Sequence, residues 1–320
     1  MIEVNIRNFI EEYFRHFNAG ALATCVHSLE EFLHQGGKLV VTLAGAMSTA
    51  EIGRTLAPAI RAGLVHGISC TGANLEEEVF NLVAQDDYED VDWRNISAND
   101  ELELQKRGMN RVTDTCIPEV KAVRTIEKVL LGKWLDAEKI GDCKPPHEYL
   151  IEVINSGEIN FQANPDNCWL IAADEMKIPI FTPGWADSTL GNIFSARLMD
   201  GTIINDRIIA SDLQRMHDLA LWYRNQKYPV GLLQVGGGIA GDFPICVVPM
   251  LRQDLGEDIK LWGWFGQISE SRPSYGGYSG ALPNEKISWE KLGVDTPKFV
   301  IESDATIVLP LIFTYLLEES

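Results

Sequence analysis

Apolar residues recur at helical spacing from the start of the chain. Ile6, Phe9, Ile10, Phe14 and Phe17 fall on one face, and a second such run stops at Gly36-Gly37. From there the pattern changes to short apolar runs that close on glycine. "KLVVTLAG" reads as a strand and "STAEIGRTLAPAI" as the helix after it, with Ser48 and Glu51 at the spacing of a capping box. "LVHGISCTG" is the next strand, and "NLEEEVFNLVA" the next helix, capped by Asn74 with acidic residues in its first turn. The alternation returns in the second half, where "IPIFTPG" precedes a Ser/Thr-rich turn, "VGLLQVGGG" precedes "FPICVVPML", and "KFVIES" precedes "ATIVLPLIFTYLL". Strand, glycine and helix in repetition predict an α/β fold: a doubly wound, mostly parallel sheet with helices on both faces. The acidic stretch within residues 85–117 interrupts the alternation and is expected at the rim. With no linker visible, residues 1–320 read as one domain with a helical N-terminal segment to about residue 36.

Composition narrows the partners. Hydrophobic residues make up 46% of the chain and charged ones 23%, as in ordinary globular proteins. A formal net charge of -19 with no basic stripe argues against nucleic acid and is compatible with a cationic ligand. The six cysteines are scattered without a CxxC pair, so they read as reduced thiols. The N-terminus has no basic segment followed by an apolar run, and no stretch is long enough to span a bilayer. A cytoplasmic protein without a membrane partner is expected.

Candidate chemistry gathers in glycine-containing loops after strands: "LAGAMS", "CTGAN", "PGWADSTLGN" and "VGGGIAGD". Parallel sheets bind ligands at such places, although none of the four is a GxGxxG fingerprint. Each glycine can also serve a tight turn alone, but Gly236, Gly237 and Gly238 in a row suggest a backbone that approaches something closely. The histidines form no HExxH or Cys/His cluster, and no GxSxG elbow occurs, so neither a catalytic metal nor a serine hydrolase is expected. Lys291 stands two residues after Trp289 and six after Glu285. A lone lysine is ordinarily a solvated surface charge. Beside an indole that can dock a cation and a carboxylate that can pair with an amine, it also suits Schiff-base chemistry.

The stretch "SGALPNEKISWEKL", followed by "PKFVIESDATIVLPL", resembles the carboxyl-terminal signature of the deoxyhypusine synthase family. The matching elements are Ser279-Gly280-Ala281, Pro283-Asn284-Glu285, Ser288-Trp289-Glu290-Lys291 and Asp304-Ala305. "CTGANLEEE", "GWADSTLGN", "VGGG" and, less closely, "AGAMS" follow the family's order, so the resemblance covers most of residues 30–315. It implies NAD as cofactor, used as a transient hydride store while an aminobutyl group passes from spermidine through an imine on Lys291 to an acceptor amine. On this resemblance Ser48, Thr71, Gly72, Ala73, Glu77, Asp187, Gly236, Gly237, Gly238, Ser279, Asp304 and Ala305 belong to the cofactor site. Trp289, Glu285, Asn192 and Tyr278 belong to the polyamine pocket, and Lys291 with Asp242 to catalysis. It further implies a homotetramer with sites at subunit interfaces.

Three positions depart from the family's protein-modifying enzymes. Asn192 replaces an aspartate, Asp242 replaces a histidine, and Tyr278 replaces another acid of the pocket. A rebuilt pocket points to small polyamines as acceptors, as in the homospermidine synthases related to this family. The alternatives are true deoxyhypusine synthesis on a translation-factor lysine and a non-catalytic protein that binds polyamine or NAD.

Overall fold

The computed structural model describes residues 5–272 and 276–318, so Ser274 and Tyr275 of the glycine-containing loop lie outside the described residues. In chain order the strands are β1 (Lys38–Leu43), β2 (Gly67–Cys70), β3 (Glu89–Asp90), β4 (Met109–Val112), β5 (Thr115–Pro118), β6 (Ile180–Phe181), β7 (Val230–Val235), β8 (Trp264–Ile268) and β9 (Lys298–Ile301). Six of them form one sheet in the order β6-β2-β1-β7-β8-β9, with every neighbouring pair parallel. The chain winds outward from β1 in one direction, then returns to β1's other side at β7. Open α/β sheets hold ligands where the winding reverses in this way. The register aligns Leu43 with both Cys70 and Val235, Val235 with Ile268, and Ile268 with Ile301. Five loops therefore leave the sheet along one crest.

Alternation along the strands divides the apolar residues between two cores. Val40, Leu232 and Phe265 join Ile245, Val248, Leu251 and Trp262 on one face. Leu39, Val41, Leu233, Val235 and Trp264 pack on the other with Val26, Leu56, Ile60 and Ile312 of the covering helices. Each such side chain stabilises the fold by roughly 1.5–3 kcal/mol relative to an exposed one. The doubly wound α/β sheet read from the sequence is present, with β8 as an additional strand whose aromatic "WFGQI" lacks the simple apolar-run signature.

Two helix starts differ from the sequence expectation. The helix anticipated from Ser48 begins at Gly53: Glu51 adopts a φ of 54°, and the buried Ser48 hydroxyl accepts from Trp169 Nε1 at 2.9 Å. The next helix, Gly72–Ala84, is capped by Thr71. Asn74 lies inside its first turn, where its amide donates to the carbonyls of Leu43, Ala44 and Gly45, tying the helix to the end of β1.

The acidic excursion is a small antiparallel sheet, ordered β3-β5-β4, with the helix Ala98–Lys106 beside it. Ser97 and Asp100 form a reciprocal capping box at that helix. Leu104, Met109 and Cys116 make a separate small core.

Glu76, Glu77 and Glu78 are all buried in the helix Gly72–Ala84. Glu76 accepts from the backbone N–H groups of Thr189 (2.8 Å) and Leu190 (2.7 Å). Glu78 accepts from the N–H of Trp169 at 2.7 Å, yet burial pushes its carboxyl up to about 8 from an ordinary 4.5. Between those values the native state holds a proton that the unfolded chain has released, so stability falls as pH rises from about 4.5 to about 8 and levels off above. Glu77, raised to about 7 mainly by burial, acts in the same direction. Urea unfolding from pH 5 to pH 9 is expected to show that decline, with a shallower slope for Glu78→Gln.

The tightest position of the glycine triplet is Gly237. A Cβ on Gly237 would lie 2.0 Å from Ser279 Oγ and 2.5 Å from Ser279 Cα. Gly237→Ala is expected to destabilise the protein by about 2–3 kcal/mol, read as a lower urea midpoint.

Candidate active site

A cleft of about 660 Å³ opens over the crest. Gly236, Gly237 and Ser279 line one side, and Asp304 and Ala305 another. The excursion supplies a further wall through Trp93, Arg94 and Val112 to Thr115. Gly236 and Gly238 take φ values of 76° and 60°, turning the chain from β7 directly into the helix Gly238–Ile245. Asp304 caps the helix Ala305–Leu317 by accepting from the Thr306 N–H at 2.7 Å. The cleft thus combines helix N-termini, a backbone without side chains and hydroxyls from Thr49 and Ser269. Its size is that of a cofactor pocket, and its donors suit the diphosphate and sugar hydroxyls of a dinucleotide.

The second group of residues surrounds an amine. Pro283–Ile287 forms a short 3-10 turn, and Glu290, at a φ of 56°, reverses the chain after Trp289. Leu292 is buried and bridges to Trp262, which fixes the base of Lys291 against the sheet. Lys291 is 8% exposed, and its Nζ donates to Asp242 Oδ1 at 3.1 Å. The Tyr278 ring centroid is 5.6 Å from that Nζ and the Trp289 centroid 5.8 Å, distances at which an aromatic face attracts a cation. Burial, reinforced by the Asp242 charge, holds the Tyr278 phenol well above its ordinary range. Cys246 donates to Asp242 Oδ1 at 3.4 Å, and burial raises its thiol as well.

The remaining sequence-identified residues occupy distinct places. Thr71, Gly72 and Ala73 begin the helix after β2 and do not line the cleft. The Thr71 hydroxyl donates to the Gly45 carbonyl at 2.7 Å, and a Cβ on Gly72 would meet Ser188 Cβ at 2.6 Å. Glu77 lies behind the cleft and accepts from the hydroxyl of Thr49, which does line it. Ser48 is fully buried beneath the crest. Asp187 is exposed in the loop after β6, with its N–H donating to Gly184. Asn192 donates its amide to the carbonyls of Ala186 and Ser188, at 3.0 and 2.7 Å. Glu285 is exposed on the turn that leads to Lys291.

Sequence reasoning passed over Lys286, Cys246 and Thr49, which the fold brings to these two groups. Lys286 stood inside the quoted signature, five positions before Lys291. The other two carried no signal short of the three-dimensional packing. Among the described residues no cluster of His, Cys, Asp and Glu has the form of a metal site, and no helix is long and apolar enough to cross a membrane.

Comparison with known proteins identifies the family and the fold. The family model described as deoxyhypusine synthase matches residues 9–316. A "Deoxyhypusine synthase-like protein" from Cyanothece sp. is 27% identical over 329 residues, covering 99% of this chain and 80% of its own length. One of the same description from Nostoc punctiforme is 28% identical over 330 residues, covering 99% and 81%. The crystal structure of a "putative deoxyhypusine synthase" from Entamoeba histolytica superimposes with a TM-score of 0.59 at 13% identity, covering 98% of this chain and 93% of that one. That likeness concerns the fold, whereas the sequence match runs through the crest loops and the lysine segment alike: this chain belongs to the deoxyhypusine synthase family.

Proposed function

We propose that the chain is an NAD-dependent transferase that moves an aminobutyl-type group from a polyamine such as spermidine, through an imine on Lys291, to a small polyamine acceptor. The observation that carries this reading is the Lys291 amine itself. It is nearly buried, bonded to Asp242 and flanked by two aromatic rings, one of which, Tyr278, directly precedes the cleft-lining Ser279. Gly236, Gly237, Ser279, Asp304 and Ala305 would hold NAD, with Glu77 acting through Thr49. Bound NAD would supply the two-electron acceptor that makes a donor carbon electrophilic and would return the hydride at the end.

The protein's own part is to ready an amine and hold cations. Asp242 Oδ1 accepts a proton from Lys291 Nζ, and the freed lone pair attacks the electrophilic carbon of the donor. The donor C–N bond breaks as the Lys291 imine forms, releasing the remainder of the polyamine as an amine. The acceptor amine then attacks the same carbon, the bond to Nζ breaks, and the proton returns from Asp242 to Lys291. Tyr278 and Trp289 stabilise the cationic states through their ring faces. The Tyr278 hydroxyl, buried without a partner among the described residues, is available to a substrate nitrogen.

Asn192 supports a pocket rebuilt for another acceptor. Its amide donors are engaged by loop carbonyls, which leaves only its uncharged oxygen for an amine. Lys291 does not line the cleft of its own chain. This favours the homotetramer with sites between paired subunits, in which NAD in one subunit serves the lysine of its neighbour.

Mass spectrometry of purified protein with NAD, spermidine, and putrescine or agmatine is expected to show an aminobutylated acceptor. Lys291→Ala should abolish it, and Asp242→Asn should slow it by about 100-fold. No product from wild type with these acceptors, but aminobutylation of a translation-factor lysine, would replace the small acceptor with a protein one. No product with either would favour a binding protein.

A further inference from the structure

A second lysine lies beside the first. Lys286 is 3% exposed, and among the described residues its Nζ donates to a single acceptor, the Ala281 carbonyl at 3.1 Å. Otherwise it faces aromatic rings, with the Tyr278 centroid at 4.9 Å and the Phe265 centroid at 5.1 Å. Tyr278 is also the ring that Lys291 Nζ approaches. Two amines therefore share one ring, while the neighbouring carboxylate, Asp242, is bonded to Lys291. A buried lysine without an ion-pair partner is uncommon, and Coulomb repulsion between two ammonium groups is strong where water is excluded.

Imine formation gives this arrangement a purpose. The attacking amine must be neutral, whereas a carboxylate beside an amine attracts its ammonium form, which has no lone pair to donate. We propose that Lys286 is a positioning residue for Lys291: its charge, fixed by Tyr278, Phe265 and the Ala281 carbonyl, offsets the pull of Asp242 and keeps the Lys291 amine available for bond formation.

The repulsion is mutual. Burial, and then the charge of Lys291, brings Lys286 down to about 8 from an ordinary 10.5. Below that pH Lys286 is largely charged, so its effect on Lys291 is present at neutral pH and fades as the solution becomes more alkaline. Among the described residues, the other ionisable groups around the pair come from the neighbouring helix and the loop itself. The helix Gly238–Ile245 presents Asp242, and Cys246 follows directly after it. The loop itself presents Tyr278 and Glu285, whereas Glu290 is turned away onto Arg252. β8 contributes the uncharged Phe265.

The proposal rests on Lys291 being the nucleophile, and its test reads that amine without polyamine, cofactor or turnover. Full-length protein is treated with formaldehyde and cyanoborohydride from pH 6 to pH 10, and methylation of the Lys291 peptide is followed by mass spectrometry. At pH 7.5, Lys286→Met is expected to slow methylation of Lys291 by about tenfold, with the difference closing at high pH. Lys286→Arg, which keeps the charge, should restore the wild-type profile, and Lys286→Gln replaces the methionine variant if that one does not fold. Superposable profiles for wild type and the neutral variant would overturn the proposal. So would a folded arginine variant that behaves like the neutral one, or a Lys291 that stays unmodified in wild type at every pH.

Discussion

The closest approach in the site is between two stretches of backbone, and much else depends on it. Gly237 meets Ser279 where no side chain fits, and the Gly238 N–H donates to Ser279 Oγ at 3.0 Å. The Ser279 carbonyl in turn accepts from Gln267 Nε2 at 2.9 Å and Ser269 Oγ at 3.1 Å. A segment far along the chain is thereby fastened to the turn after β7 and to the end of β8. Tyr278 is the residue before Ser279, so the same contacts set the ring that both lysines approach. One side of this junction lines the dinucleotide-sized cleft, and the other leads to the amine.

The crest is polar at depth. Ser69, Thr42, Gln234 and Gln267 stand side by side in register on four adjacent strands, each one residue before the strand end and each buried. Side-chain oxygens of all four lack protein partners among the described residues. An unsatisfied buried polar group costs about 1–3 kcal/mol, so an apolar row here would give a more stable sheet. The buried glutamates of the helix Gly72–Ala84 add a related burden. The extensive apolar cores on both faces of the sheet carry it, and polar chemistry is retained where the ligand loops emerge.

Much of this was legible in the chain because short glycine-terminated apolar runs and helical periodicity are local properties. β1, β2, β7 and β9 appear where their apolar runs predict. What escaped depends on tertiary contact. Ser48 looked like a cap because its spacing to Glu51 is right, but Trp169 claims its hydroxyl. Asn74 looked like a cap because it precedes an apolar run, but it ties two segments together from inside the helix. Lys286 was visible only as one more charge, since burial by Phe265 and Tyr278 cannot be read from the residues around it.

The acidic excursion, an interruption in the sequence pattern, supplies a wall of the cleft while keeping a small core of its own. That wall is anchored on one side, because Ile117 of β5 and Val112 of β4 pack with the main core, whereas Leu104, Met109 and Cys116 pack apart from it. Substitutions at Leu104 or Met109, which do not line the cleft, would reshape that wall while leaving the groups at the crest unchanged.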